Sequence, residues 1–186
     1  LLTNNKKLIV EENISHFFDE NLSYGFKKGN DLQIINIQIK EGLYLFDIVF
    51  KNQTYENFVF KMPGSYNLLN AAGSILACLI NGITVESIKN GLQSYSGVKR
   101  RFDIQLSLPK LIYIDDYAHH PKEIDSLLNA VKSFYPQKLI VGVFQPHLYS
   151  RTRDFLDYFA ESLSGFDQIF LLPIYPAREA PIEGVD

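Results

Sequence analysis

Twice in the second half of this chain a short, strongly apolar run leads into a polar loop and then into a segment with helical spacing. Leu111-Ile112-Tyr113-Ile114 runs into Asp115-Asp116-Tyr117-Ala118-His119-His120-Pro121. Leu139-Ile140-Val141-Gly142-Val143 runs into Phe144-Gln145-Pro146-His147-Leu148-Tyr149-Ser150-Arg151-Thr152-Arg153. Short apolar runs bounded by polar loops read as buried strands. Strand, loop and helix repeated in that order imply an α/β architecture with a parallel sheet and right-handed crossovers. Ligands of open parallel sheets bind at the carboxyl ends of the strands. Three of the four histidines lie in these two loops, where such a fold does its chemistry.

The surrounding pattern completes the unit. Pro121 suits the first turn of a helix, and Ile124, Leu127, Leu128 and Val131 form its apolar stripe. Residues 151–163 read as a helix carrying Phe155, Leu156 and Phe159, and residues 168–172 as a strand ending in Pro173-Ile174-Tyr175-Pro176. Residues 104–108 are a further strand.

The first half has a different period. Residues 7–10 read as a short strand and 13–20 as a weak helix. From 31 to 62 apolar and polar residues alternate through Ile35, Ile37, Ile39, Leu43, Leu45, Ile48 and Phe50, which argues for antiparallel strands. Glu41-Gly42 and Lys51-Asn52 sit at the turns. Helical spacing resumes from Leu68 to Ile80 and closes on Asn81-Gly82. Thr84 is placed to N-cap a second helix bearing Ile88 and Leu92. The polar stretch around Gly97 marks a boundary. The expectation is an α/β protein of two parts: residues 1–98, with antiparallel strands and two helices, and residues 99–186, a Rossmann-like domain with a mainly parallel sheet.

Bulk properties bound the function. A formal net charge of -3 argues against a nucleic-acid binder, which carries a basic excess. No apolar run approaches the roughly 20 residues of a membrane span. Cys78 is the only cysteine and reads as a buried thiol in a reducing compartment, so a cytoplasmic protein is expected. The only methionine is Met62, and the pattern is still running at Asp186. The chain therefore reads as an excerpt of a longer protein.

The loop chemistry admits several readings. Asp116 with His119 and His120 could bind a metal, act as an acid–base group, contact a nucleotide, or merely cap the following helix. Arg151 and Arg153 at a helix start suit an anion, because guanidinium groups and helix N–H donors both attract one; a solvated basic face paired with Asp154 and Asp157 is the alternative. Lys99-Arg100-Arg101 lies in the boundary segment, where it is either a solvated linker or a phosphate contact. Tyr175 and Arg178 again set an aromatic beside a charge after a strand. Asn67 and Asn70, three apart and so on one face, stand at a helix entrance. N-cap chemistry accounts for Asn67 and leaves Asn70 unexplained. His16 has no such company.

Together these motifs resemble the Mur ligases, and within them the alanine-adding branch. Gly64-Ser65-Tyr66-Asn67-Leu68-Leu69-Asn70-Ala71 resembles the family's G-x-H-N-x-x-N-A. Gly97-Val98-Lys99-Arg100-Arg101-Phe102 resembles G-V-x-R-R-F, and residues 115–121 resemble D-D-Y-[AG]-H-H-P. Residues 144–154 resemble the run F-Q-P-H-x-[YF]-[ST]-R-T-R-D, and Tyr175-Pro176-Ala177-Arg178-Glu179 a further stretch. The resemblance implies an ATP-dependent ligase that joins L-alanine to UDP-N-acetylmuramate through an acyl phosphate, using ATP and Mg²⁺. It implies small-molecule partners, with neither nucleic acid nor membrane. It places Asn67 and Asn70 at the adenine end of ATP, Arg101 at its phosphates as the catalytic arginine, and Asp116, His119 and His120 at ribose and base. Arg151, Arg153, Tyr175 and Arg178 would meet alanine and product-side anions. The chain has no G-x-x-x-x-G-K-[ST] phosphate loop, so by itself it should be inactive. Tyr66 stands where the family has a His that ligates a second magnesium. A phenol is a poor Mg²⁺ ligand, so no metal ligand is assigned. A ligase for a recycled tripeptide would share residues 115–121 but differ at Gln145-Pro146-His147. A nucleotide-binding module without catalysis is the remaining alternative.

Overall fold

The computed structural model describes residues 7–185. The chain divides into two compact units, Leu1–Ser96 and Gly97–Asp186.

The first unit is built on five strands in the order β1 (Ile9–Glu11), β2 (Leu22–Gly25), β3 (Leu32–Lys40), β4 (Leu43–Phe50) and β5 (Gln53–Phe60). β2 pairs parallel with both β1 and β3, whereas β3, β4 and β5 form an antiparallel meander. Its two hairpins turn on the expected residue pairs. Glu41 and Gly42 have φ of 53° and 75°, and Lys51 and Asn52 have φ of 50° and 59°. Two left-handed residues match the right-handed twist of the strands they join.

β4 supplies the core face through Tyr44, Phe46, Ile48 and Phe50, joined by Leu32, Ile34, Phe58 and Phe60. The face changes along β3. The register shifts between Ile35 and Gln38, Asn36 adopts φ 53°, and beyond it Ile37 and Ile39 stand about two-fifths exposed. Asp47 holds this bulge and the one opposite it, accepting from Asn36 Nδ2 at 2.7 Å and from the Asn57 N–H at 2.8 Å.

Two helices, α1 (Ser65–Ile80) and α2 (Val85–Ser94), cover the sheet. α1 packs on β1, β2 and β3, and α2 on β5. The inward stripe of α1, Leu68, Ala71, Ala72, Ile75 and Leu76, is buried, and each large side chain contributes about 1.5–3 kcal/mol by leaving water. The helix ends in a Schellman motif. The Ile83 and Gly82 N–H groups donate to the carbonyls of Cys78 and Leu79 at 3.1 and 3.2 Å, with Gly82 in the left-handed region. Thr84 N-caps α2 through the Ser87 N–H at 3.2 Å.

The weak helix expected over residues 13–20 is corrected. Residues 13–20 contain only a single 3₁₀ turn, Ser15–Phe17, with no buried residue; Ile14, Phe17 and Phe18 all stay exposed, so no packed face holds a longer helix. The parallel strand β2 lies in a stretch too short and too mixed in character to show a period.

The second unit contains β6 (Asp103–Ser107), β7 (Ile112–Asp115), α3 (Pro121–Phe134), β8 (Val141–Phe144), α4 (Tyr149–Asp154), α5 (Leu156–Leu163) and β9 (Gln168–Leu171). Parallel pairing joins β8 to β9, and the His147–Tyr175 bridge prolongs it. β6 and β7 pair antiparallel, since a connection of a few residues can only reverse the chain. The region expected as one helix is two, broken at Phe155 (φ −120°, ψ 20°). Ile124, Phe159 and Leu163 form the core here, with Ala118, Phe144, Phe155 and Phe166 packed against them. Val141, Val143 and Phe170 stand exposed. Among the described residues no helix is long and apolar enough to cross a membrane.

Candidate functional site

The segment entering the second unit is tightly wound. Arg101 bridges to Val98, its N–H donating to the Val98 carbonyl at 3.2 Å. Arg100 and Phe102, on either side of it, adopt φ of 61° and 46°. Left-handed backbone at residues other than glycine costs on the order of 1–3 kcal/mol each and persists only where neighbours enforce it. Three contacts do so. The Phe102 ring is 1 % exposed, its N–H donates to Asp116 Oδ2 at 2.7 Å, and the Tyr117 N–H donates to the Arg100 carbonyl at 2.8 Å. The two arginines differ in consequence. The Arg100 guanidinium lies 4.8 Å from the Tyr117 ring centroid and 3.8 Å from Asp115. Arg101 makes no side-chain hydrogen bond or ion pair among the described residues, although its charge acts on Glu123.

Asp116 therefore has structural work at the end of β7. Its second oxygen accepts the Ala118 N–H at 2.8 Å, so each carboxylate oxygen holds one backbone donor. The two histidines that follow diverge. His119 Nδ1 lies 2.9 Å from the Tyr117 carbonyl and 3.3 Å from Glu123 Oε2. Glu123 also accepts the His119 N–H at 2.9 Å. His120 is the N-cap of α3 and makes no side-chain cap bond. Its ring instead meets Phe155 edge-on at 4.8 Å. Burial pushes the Glu123 carboxyl up, but the His119 N–H, the His119 ring, Arg101 and the His120 N–H outweigh it and hold it below the usual carboxylate range.

The loops after β8 and β9 are laced together. The Tyr175 N–H donates to Pro146 at 2.8 Å and the Leu148 N–H to Tyr175 at 3.0 Å. The His147 and Tyr175 rings lie 5.5 Å apart, and Gln145 Nε2 donates to Pro173 at 3.1 Å. An anion does occupy the start of α4, and it belongs to the chain. Glu179 accepts the Ser150 N–H at 3.0 Å and also the Ser150 hydroxyl. These two bonds, assisted by Tyr149 and the Arg151 charge, keep its carboxyl below the ordinary range. Arg151 and Arg153 fall in the last turn of α4. Arg153 closes on Asp154 through Nε and Nη2, each 2.8 Å away. Arg151 keeps a buried Nη1 with no hydrogen-bond partner. Arg178 is exposed, beyond Ala177 at φ 52°.

In the first unit, the N-cap of α1 is Gly64 and not Asn67. The Asn67 amide donates back to the Pro63 carbonyl at 2.7 Å. Asn70 is exposed, one turn further along the same face. Gly64 has φ 94° and ψ 135°, and a Cβ there would meet the Tyr66 ring, so only glycine fits. A hollow of about 460 Å³ over the sheet is lined by Asn36, Asp47 and Asn57 and holds none of the candidate residues. Its carboxylate is already satisfied by the two bulges. Among the described residues no group of three or more His, Cys, Asp or Glu could hold a metal ion.

Asp116, His119 and Arg101 thus gather around the end of β7, with Glu123 joining the last two. His120 packs on Phe155 at the break between α4 and α5, while Arg151 lies in α4 and Tyr175 in the loop after β9. Sequence reasoning missed Glu123 and Glu179. Glu123 was within reach, because a Glu at the third position of a Pro-led helix is a capping signal. Glu179 acts across 29 residues and leaves no local trace.

Comparison with known proteins agrees with this architecture. Residues 100–185 match the family model of the Mur ligase, glutamate ligase domain. The chain is 48% identical to the UDP-N-acetylmuramate–L-alanine ligase of Christiangramia forsetii over 163 residues, which cover 88% of this chain and 36% of that protein. Identity to the same-named protein of Cytophaga hutchinsonii is 42% over 180 residues, 97% of this chain and 39% of that protein. The chain therefore spans little more than a third of such relatives. The crystal structure of the Thermotoga maritima UDP-N-acetylmuramate-alanine ligase superposes with a TM-score of 0.73 at 27% identity, covering 84% of this chain and 35% of that one. Folylpolyglutamate synthetase from Lactobacillus casei shares the fold at 16% identity and a TM-score of 0.66, covering 95% and 44%.

Proposed function

The chain belongs to the Mur ligase family, and on that premise we propose that it is part of a cytoplasmic, ATP-dependent ligase that joins L-alanine to UDP-N-acetylmuramate. In the proposed reaction a muramyl carboxylate oxygen attacks the γ-phosphorus of ATP and ADP leaves. The alanine amine then attacks the acyl carbon, the C–O bond to phosphate breaks, and the amine gives up a proton. Phosphoryl transfer of this kind depends mainly on positioning and charge neutralisation, which is what the candidate residues offer.

One observation carries the reading for this chain's own chemistry. Arg101 is held between two left-handed residues with its guanidinium uncommitted, whereas the adjacent Arg100 is paired. The turn fixes where the side chain starts, and a guanidinium with no partner can meet charge that develops during reaction without first giving up an ion pair. We assign Arg101 to the phosphates. Asp116, His119 and His120 are assigned to ribose and base, and Asn67 and Asn70 to the adenine end. Arg151, with its unsatisfied Nη1, is assigned to an anion on the amino-acid side, with Arg153, Tyr175 and Arg178 as weaker contributors. Arg153 would first have to release Asp154. Mg²⁺ is assigned to ligands that lie mostly outside this chain. Without a phosphate loop the chain alone should release no phosphate from ATP.

Arg101→Ala in the complete protein tests this. Turnover should fall on the order of 10²–10³-fold, as for loss of one preorganised donor, while the KM for alanine changes little. Near-normal turnover would make residues 99–101 a solvated linker.

A further inference from the structure

We propose that Glu123 is a positioning residue that fixes His119 as its Nδ1–H tautomer, so that the ring presents an acceptor, Nε2, to its ligand. The inference rests on the assignment of His119 to the nucleotide and narrows it. In a neutral imidazole one nitrogen carries the proton and the other accepts. Both groups that face Nδ1 are acceptors, the Tyr117 carbonyl at 2.9 Å and Glu123 Oε2 at 3.3 Å. A lone pair on Nδ1 would confront two oxygens, so the proton belongs there. Nε2 then carries the lone pair.

Glu123 is itself fixed. It accepts the His119 backbone N–H at 2.9 Å, so its carboxylate is anchored to the residue whose ring it orients. Its place one turn into α3, behind the Pro121 start, prevents it from following the loop. Arg101 and His119 are the charged and titratable groups that act on it. The Tyr117 ring stands edge-on to the His119 ring at 5.3 Å and restricts rotation from the other side. An acceptor nitrogen selects a donor, so a neutral His119 would meet a hydroxyl or an amine N–H and would repel a phosphate oxygen. The phosphates are thereby left to Arg101.

Nitrogen-15 NMR of the imidazole in this chain, at a pH where the ring is neutral, tests the tautomer without any ligand. The expected result is a pyrrole-type Nδ1 and a pyridine-type Nε2. In Glu123→Gln, with amide dispersion elsewhere unchanged, a second population with the proton on Nε2 should appear. A wild-type ring protonated mainly on Nε2 would overturn the proposal. So would a Glu123→Gln ring identical to wild type, because the Tyr117 carbonyl alone would then suffice. If that variant does not fold, the wild-type tautomer still decides. Titrating the complete protein with ATP separates this inference from its premise. An expected tautomer with no shift of the His119 resonances on adding ATP would refute the nucleotide assignment and leave the positioning role standing.

Discussion

Asp116→Ala should loosen the turn that holds Arg101 and destabilise the second unit by about 2–3 kcal/mol. The carboxylate accepts the Phe102 and Ala118 N–H groups at 2.7 and 2.8 Å. Hydrogen bonds to a charged group are worth about 1.5–3 kcal/mol each. Both of these are only partly buried, and water can replace the carboxylate at Ala118, so the lower end applies. Left-handed backbone at Arg100 and Phe102 adds to the effect, because the contact that offsets the strain is gone. For a unit of about 90 residues 1 kcal/mol corresponds to roughly 4–8 °C, so the midpoint should drop by about 10–20 °C. The chain contains no tryptophan, so the second unit is best followed through its own amide resonances during heating and urea titration. Asp116→Asn retains one acceptor oxygen and should cost about half as much, on the same scale of charged against neutral hydrogen bonds. A loss under about 0.5 kcal/mol for the alanine variant, the size of an ordinary surface substitution, with unchanged exchange at the Phe102 amide, would refute the clamp.

Other outcomes follow from the same contacts. Gly64→Ala should cost on the order of 1–3 kcal/mol in the first unit, read by urea unfolding, and a neutral result would contradict the assigned backbone. Thr84→Ala should cost about 1 kcal/mol through loss of the α2 cap; an unchanged unfolding midpoint would rule that cap out. The Glu123 and Glu179 carboxyls are held below their ordinary value of 4.5. Each therefore adds stability that is complete above that value and is lost as the pH falls through it to the lower folded-state value. Replacing either with Gln should flatten the acid limb of a melting-temperature profile below about pH 5, a range set by ordinary carboxylate titration. A wild-type-like limb in both variants would count against the clamps. In the complete protein, His119→Ala should weaken ATP roughly 5–30-fold, the worth of one lost hydrogen bond, and calorimetry that finds unaltered affinity would remove His119 from the nucleotide.

What was legible in the sequence divides along physical lines. The β3–β5 meander was visible because alternation, two turn pairs and β-branched residues all point the same way. Pro121 announced α3, and Thr84 announced α2, since caps are local chemistry. The α/β alternation of the second half held, with parallel pairing at β8 and β9. The β6–β7 hairpin was not foreseen, because pairing direction follows from the connection and not from either strand's composition. The break between α4 and α5 has no Pro or Gly to mark it; Phe155 leaves the helix where its ring packs against His120 and the core. Asn67 was mistaken for a cap because Gly64, two residues before Tyr66, starts the helix through its backbone alone. The motifs located the candidate residues, but the partners that hold them were hidden. Asp116 reaches Phe102 and Glu179 reaches Ser150 across 14 and 29 residues, and no local pattern records such contacts.

The most direct measurement is phosphate release by the complete protein. Release from ATP should require both UDP-N-acetylmuramate and L-alanine and should accompany formation of the amide product. Release that depends on a tripeptide and ignores L-alanine would contradict it, and so would a protein that binds ATP but releases no phosphate with either.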